Sequence, residues 1–135
     1  MGGLTGLVAD ASAVVEALSG ASASGDRARE LLLQPVSAPH LLDLEVASAL
    51  RRATRRGELT AEEARAAVLG LASLPGLRRY GHLRLLPRIW ELRDNISTYD
   101  ASYVALAEAL GIPLITADRR LARAAESYCA VVLVD

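Results

Sequence analysis

Four acidic residues, Asp10, Glu45, Asp100 and Asp118, stand where a folding chain ordinarily tolerates no charge or only a helix cap. Asp10 closes the apolar run LVA at 7–9, and Asp118 closes IPLITA at 112–117, so both read as carboxylates at the carboxyl ends of buried strands. Asp100 opens the helix-like DASYVALAEAL, and Glu45 interrupts the apolar stripe of HLLDLEVASALRR. If the strands are parallel, their carboxyl ends face one side of a sheet, where open α/β folds hold their ligands. Carboxylates gathered there point to a divalent cation, and such a cation points to phosphate chemistry.

Each acid also has a plainer role. Asp10 and Asp118 can cap the helices they precede, and Asp100 can partner Ser97 in a capping arrangement that favours the helix dipole. Glu45 is harder to place in this way. On a helix turning about 100° per residue, Leu41, Leu42, Ala49 and Leu50 fall near its face, while Asp43 points about 160° away. Asp43 is therefore expected in solvent and Glu45 at the core or its rim. A carboxylate there needs a cation, a strong donor or a raised pKa. Gathering all four is costlier still, because at about 5 Å and an effective dielectric of about 20 each ionised pair repels by roughly 3 kcal/mol. Magnesium or manganese offsets that repulsion, since hard cations take oxygen ligands and keep several waters. Zinc would call for His or Cys, and His40, His82 and Cys129 show no ligand spacing. The two histidines read as surface or packing residues, and Cys129 as a buried apolar thiol that excludes an internal disulfide.

The elements that must position these acids follow from periodicity. Residues 7–9 read as a buried strand and 11–19 as a helix capped by Asp10. GASASG at 20–25 reads as a loop, DRARELLLQ as a helix and PVSAP as a short strand. A helix from about 40 to 56 carries Glu45, and Gly57 ends it. Thr60 with Glu63 three residues on is a capping-box pattern opening the next helix. Residues 77–81 fit an edge strand or a connection, and a helix over 83–93 follows. The last third alternates, with helix 98–110, strand 112–116, helix 118–126 and strand 131–134. The expected fold class is α/β, a single domain over 1–135 with a mainly parallel sheet of four to five strands flanked by helices. Residues 1–6, MGGLTG, read as a loose lead-in.

Composition narrows the function classes. A hydrophobic fraction of 52% and a charged fraction of 23% over 135 residues describe a globular chain with an ordinary core. No apolar run is long enough to span a bilayer and no secretory signal is visible, so a cytoplasmic location is expected. The formal net charge of -1 is not that of a strongly basic nucleic-acid binder. All 15 basic residues are arginine, which excludes any reaction needing a lysine at the site.

The strings VADASAVV, LLDLEVASALRR and STYDASYVALAEALGIPLITADRRLA resemble the PIN-domain nucleases, and specifically the VapC toxins of bacterial toxin–antitoxin pairs. The likeness runs from about residue 7 to the end of the chain and is most specific in YDASYVALAEALGIPLITAD. It maps the family's acidic quartet onto Asp10, Glu45, Asp100 and Asp118, and adds Ser12 and Thr116 as hydroxyl neighbours. It implies a magnesium-dependent endoribonuclease that cleaves structured RNA of the transfer or ribosomal class to inhibit translation. It also implies neutralisation by a VapB-like antitoxin and pairing into a homodimer. Asp10, Asp100 and Asp118 are the expected nearer metal ligands. Glu45 could ligate directly, ligate through water, or act as a base.

RNA must reach an acidic pocket, and arginine forks fit phosphate oxygens. Arg51, Arg52, Arg55 and Arg56 continue the Glu45 helix, and Arg119, Arg120 and Arg123 follow Asp118. A solvated helix face with local ion pairs is the plainer reading of each. Trp90 and four tyrosines make no stacking platform, so recognition of RNA shape is expected over a linear code. Two other phosphate-handling folds fit less well. A phosphoacceptor receiver domain expects a lysine, and a haloacid-dehalogenase-like phosphatase expects a second Asp where Ser12 stands. The remaining alternative is a non-catalytic RNA- or protein-binding module on the same fold.

Overall fold

The computed structural model describes residues 6–74 and 76–135. The expected lead-in therefore lies outside the described residues except for Gly6. Three short apolar runs, β1 (Leu7–Ala9), β2 (Val36–Pro39) and β4 (Leu114–Thr116), are buried at every residue, as strands covered on both faces must be. With β3 (Leu77–Tyr80) and β5 (Val131–Leu133) they form one sheet in the order β3-β2-β1-β4-β5. Every pairing is parallel, including β3 on β2, which settles 77–80 as an edge strand.

Parallel pairing requires crossovers, and their right-handedness assigns the layers. The chain moves outward from β1 to β3 through α1 (Ala11–Ser19), α2 (Ala23–Leu31), α3 (Leu41–Arg55) and α4 (Ala61–Ala72), which pack on one another over one face. It returns past β1 to β4 and β5 through α5 (Leu86–Glu91), α6 (Thr98–Leu110) and α7 (Arg119–Ala125), which cover the other. The direction of travel reverses between β1 and β4, so the switch point of the sheet lies between them. Helix α6 packs against β1, β2 and β4, and residues Ala101 to Ala107 are all buried. Its near-continuous apolar sequence follows from that central seat.

The local signals behave as the chemistry requires. Thr60 and Glu63 form both bonds of a capping box, at 3.1 and 2.9 Å. Gly57, with φ of +75°, follows α3, and the Glu58 N–H donates back to Ala53 at 2.9 Å. Four expectations need correction. The loop at 20–25 is shorter, because α2 begins at Ala23. Ser24 donates to Glu16 at 2.6 Å, and Gly25 lies against the Gly20 backbone where a Cβ has no room. The helix expected over 83–93 is a 3-10 turn at Leu83–Leu85 followed by α5, with Pro87 in the first turn of α5, where a missing N–H costs nothing. Asp43 is not simply solvated but accepts both arms of the Arg79 guanidinium, at 2.7 and 2.9 Å, tying α3 to β3. Cys129 is half-buried rather than buried, and burial pushes its thiol up. His40 and His82 are exposed. No helix among the described residues is long and apolar enough to cross a membrane.

Candidate catalytic site

The β1–β4 register builds the site. Val8 stands beside Leu114 and Ala9 beside Ile115, so the next pair outward is Asp10 and Thr116. The Thr116 hydroxyl donates to Asp10 Oδ2 at 2.6 Å. The Ser12 hydroxyl and the Ala13 N–H donate to Asp10 Oδ1, at 2.7 and 3.0 Å. Asp10 is thus the N-cap of α1, as expected, and its carboxylate also lines a cavity with the other acids. The two hydroxyls also accept, Ser12 from the Ala117 N–H at 2.9 Å and Thr116 from the Asp118 N–H at 3.0 Å. They lock the turn after β4 onto the end of β1. Asp118 in turn caps α7, with Oδ1 accepting from the Arg120 and Leu121 N–H groups.

The other two acids arrive from opposite layers. Glu45 projects from the second turn of α3, and Asp100 from the first turn of α6. All four acids line one cavity of about 200 Å³, with Ser12, Arg52 and Tyr103 among the remaining walls. None of the four is in an ion pair among the described residues. Burial dominates the proton affinities of Asp10, Glu45 and Asp100. Burial pushes Asp10 up to about 6 against the hydrogen bonds from Thr116, Ala13 and Ser12, and Asp100 adds to the push. Burial also raises Glu45, countered by the Tyr103 bond and Arg52, with Asp100 adding to the rise. Asp100 is raised by burial and by Asp118, and held down by Ser97 and Arg120.

The donor chemistry fits a hard divalent cation. Four carboxylates share a cavity and none of them is ion-paired among the described residues, although Arg52 shares its wall, and Glu45 Oε2 and Asp118 Oδ2 accept no hydrogen bond among the described residues. Among the described residues no three ligating side chains stand close enough together to hold an ion as they are placed.

The arginines divide. Arg52 lines the cavity, and Arg120 lines an adjoining one of about 240 Å³ that also includes Asp100. Arg51, Arg55 and Arg56 are exposed on and just after α3 and do not line the cavity. Arg119 pairs with Asp135 at 2.9 Å and, with Arg123, lines a separate depression over α7 and β5. Sequence reading missed Tyr103. Its hydroxyl donates to Glu45 Oε1 at 2.6 Å, and burial and that carboxylate push the phenol far above its usual range, so it stays a donor. The available signal was its spacing, three residues after Asp100 on the same helix face.

A family model for the PIN domain matches residues 7–127. Ribonuclease VapC1 of Mycobacterium tuberculosis is 52% identical over 131 residues, covering 94% of this chain and 96% of that protein. Ribonuclease VapC9 of the same organism is 43% identical over 129 residues, covering 95% and 98%. The crystal structure of PAE2754 from Pyrobaculum aerophilum superposes with a TM-score of 0.69 at 25% identity, over 94% of this chain and 83% of that one. Mycobacterium tuberculosis VapC20, described as a sarcin–ricin loop cleaving toxin, shares the fold with a TM-score of 0.67 at 20% identity, over 87% and 94%. The chain belongs to the PIN-domain family and, within it, to the VapC ribonucleases.

Proposed function

We propose that this protein is a magnesium-dependent endoribonuclease toxin that cuts structured RNA of the transfer or ribosomal class in the cytoplasm and is neutralised by a VapB-like antitoxin. The observation that carries the reading is the convergence of Asp10, Glu45, Asp100 and Asp118, from four separate parts of the chain, on one cavity in which none of them is ion-paired among the described residues. Its relatives VapC1 and VapC9 are named ribonucleases, which supports the same chemistry here. Asp10, Asp100 and Asp118, with Glu45 beside them, would hold a hard cation, magnesium or in its place manganese, which when bound would supply positive charge to a scissile phosphate and acidify a water.

The chain's own groups do the rest. Ser12 and Thr116 keep both Asp10 oxygens in fixed directions, and Asp118 is held by the α7 amides. Glu45 Oε2 is free to ligate, to hold a water or to take a proton. Arg52 at the cavity wall and Arg120 next door are placed to pair with phosphate oxygens. Among the described residues the one aromatic ring lining the cavity is the buried Tyr103, which offers no stacking face to bases and supports reading of RNA shape. A homodimer is part of the proposal. Leu83, Leu86 and Trp90 repeat at helical spacing and are exposed beside an apolar cavity of about 250 Å³.

The second reading, a non-catalytic binding module, draws on the lack of a closed cage among the described residues. An RNA cleavage assay decides between them. The wild type is expected to cut transfer or ribosomal RNA with magnesium or manganese and to stop when the metal is chelated. Asp100→Asn is expected to lose most of that activity, a fall of at least about 100-fold in kcat, while remaining folded. Cleavage indifferent to chelator, or full activity in that variant, would sink the nuclease reading.

A further inference from the structure

We propose that Tyr103 is the positioning residue for Glu45. Its phenol reaches from α6 to α3 and fixes one carboxylate oxygen, so that the other faces the cavity shared with Asp10, Asp100 and Asp118. The proposal rests on the nuclease reading and names what holds the least constrained acid of that site in place.

Glu45 hangs on a long side chain and is half-buried. Among the described residues it has no ion pair, and its one side-chain hydrogen bond is the 2.6 Å bond from Tyr103. Left alone, the carboxylate would sample several rotamers across the cavity mouth. Tyr103 has no such freedom. Its side chain is 1% exposed and stands first in size among the fully buried ones, so its hydroxyl cannot turn away without opening the core. Asp100 sits one turn earlier on the same face of α6, whose residues Ala101 to Ala107 are buried. One rigid helix therefore places Asp100 directly and Glu45 through the phenol. Packing alone does not explain the hydroxyl, because phenylalanine fills nearly the same volume and brings no buried polar atom that needs a partner.

The test is Tyr103→Phe, read by RNA cleavage and by calorimetric titration with manganese in the absence of RNA. The melting temperature is expected to stay within about 3 °C of wild type and KM for RNA to hold. The rate constant kcat should fall about ten-fold, the size of one lost charge-assisted hydrogen bond, and manganese affinity about three-fold. In a Glu45→Ala background the same substitution should change neither quantity further. Unchanged kcat and manganese affinity in the single variant would overturn the proposal, as would an equally large further loss in the Glu45→Ala background. A collapse in melting temperature with a matching loss of activity would also overturn it, by assigning the hydroxyl to stability. If the wild type binds manganese but cuts no RNA, the nuclease reading fails, while the manganese titrations still decide what Tyr103 does. A wild type that binds no manganese overturns both.

Discussion

Asp10 shows how one carboxylate can be bound tightly by its surroundings and still be held above its ordinary proton affinity. Three donors favour its charged form, and burial outweighs them, so it is raised from 3.8 to about 6. The folded state then holds the proton more tightly than the unfolded chain. The stability this contributes is complete below about pH 4 and is lost as pH rises through about 6, by an amount on the order of 3 kcal/mol. Metal-free protein is therefore expected to be less stable to urea at pH 7.5 than at pH 5, with the difference much reduced in Asp10→Asn and offset by added magnesium. Equal stability at the two pH values in chelator would contradict the assignment of burial as the dominant cause. At this scale the sequence was legible wherever a residue type was out of place. A charge closing an apolar run or interrupting an apolar stripe is visible in one dimension, which is how Asp10, Asp118 and Glu45 stood out, and Asp100 stood out as an acid opening an apolar helix. Tyr103 was not, because a tyrosine in an apolar helix is compatible with ordinary packing and its acceptor lies 58 positions away. Ser12 and Thr116 emerged only from the family resemblance, since their partnership is created by strand register.

Elements were easiest to place where backbone chemistry marks both ends. Helix α6 runs from Thr98 to Leu110 as its sequence suggests, opened by Ser97 and ended by Gly111 at φ of +68°. Nothing lies within 4 Å of where a Gly111 side chain would begin, so a substitution there meets only the backbone penalty. Gly111→Ala is accordingly expected to lower stability by about 1–2 kcal/mol. Its kcat should be nearly unchanged at temperatures where it is folded, since Asp100 and Tyr103 lie at the opposite end of the helix. Thermal unfolding and a rate measurement together check this, and a large loss of kcat in folded protein would count against it. Boundaries failed where the determinant was tertiary. The early start of α2 depends on Ser24 meeting Glu16 and Gly25 meeting Gly20, contacts that no local pattern announces. The break between the 3-10 turn and α5 was announced, by Pro87, and the continuous apolar pattern obscured it.

For the whole molecule, the sheet order makes one edge of the site from the start of the chain and the other from its last third. The same architecture leaves Leu83 76%, Trp90 68% and Tyr99 63% exposed, more apolar surface than a helix pair normally offers to water. If the chain pairs as proposed, replacing Leu83 and Trp90 together with Ser is expected to halve the mass found by sedimentation while leaving the fold intact, and a dimer mass unchanged by the substitutions would remove this face as the proposed contact. That four to five strands would form a mainly parallel α/β sheet could be read from the alternation of elements; that 77–80 is the fifth strand, that all pairings are parallel and that β1 and β4 are neighbours could not, because register and order are fixed by packing across the whole chain. The Asp10–Thr116 bond joins residues 106 positions apart. At about 5–20 residues per second, synthesis separates the two by roughly 5–20 s. During that interval each growing chain carries Asp10 and then Glu45 without the acids that complete the cavity. Under the proposed activity, a ribosome making this protein is never within reach of a finished blade on the chain it is still extending until the last third has emerged.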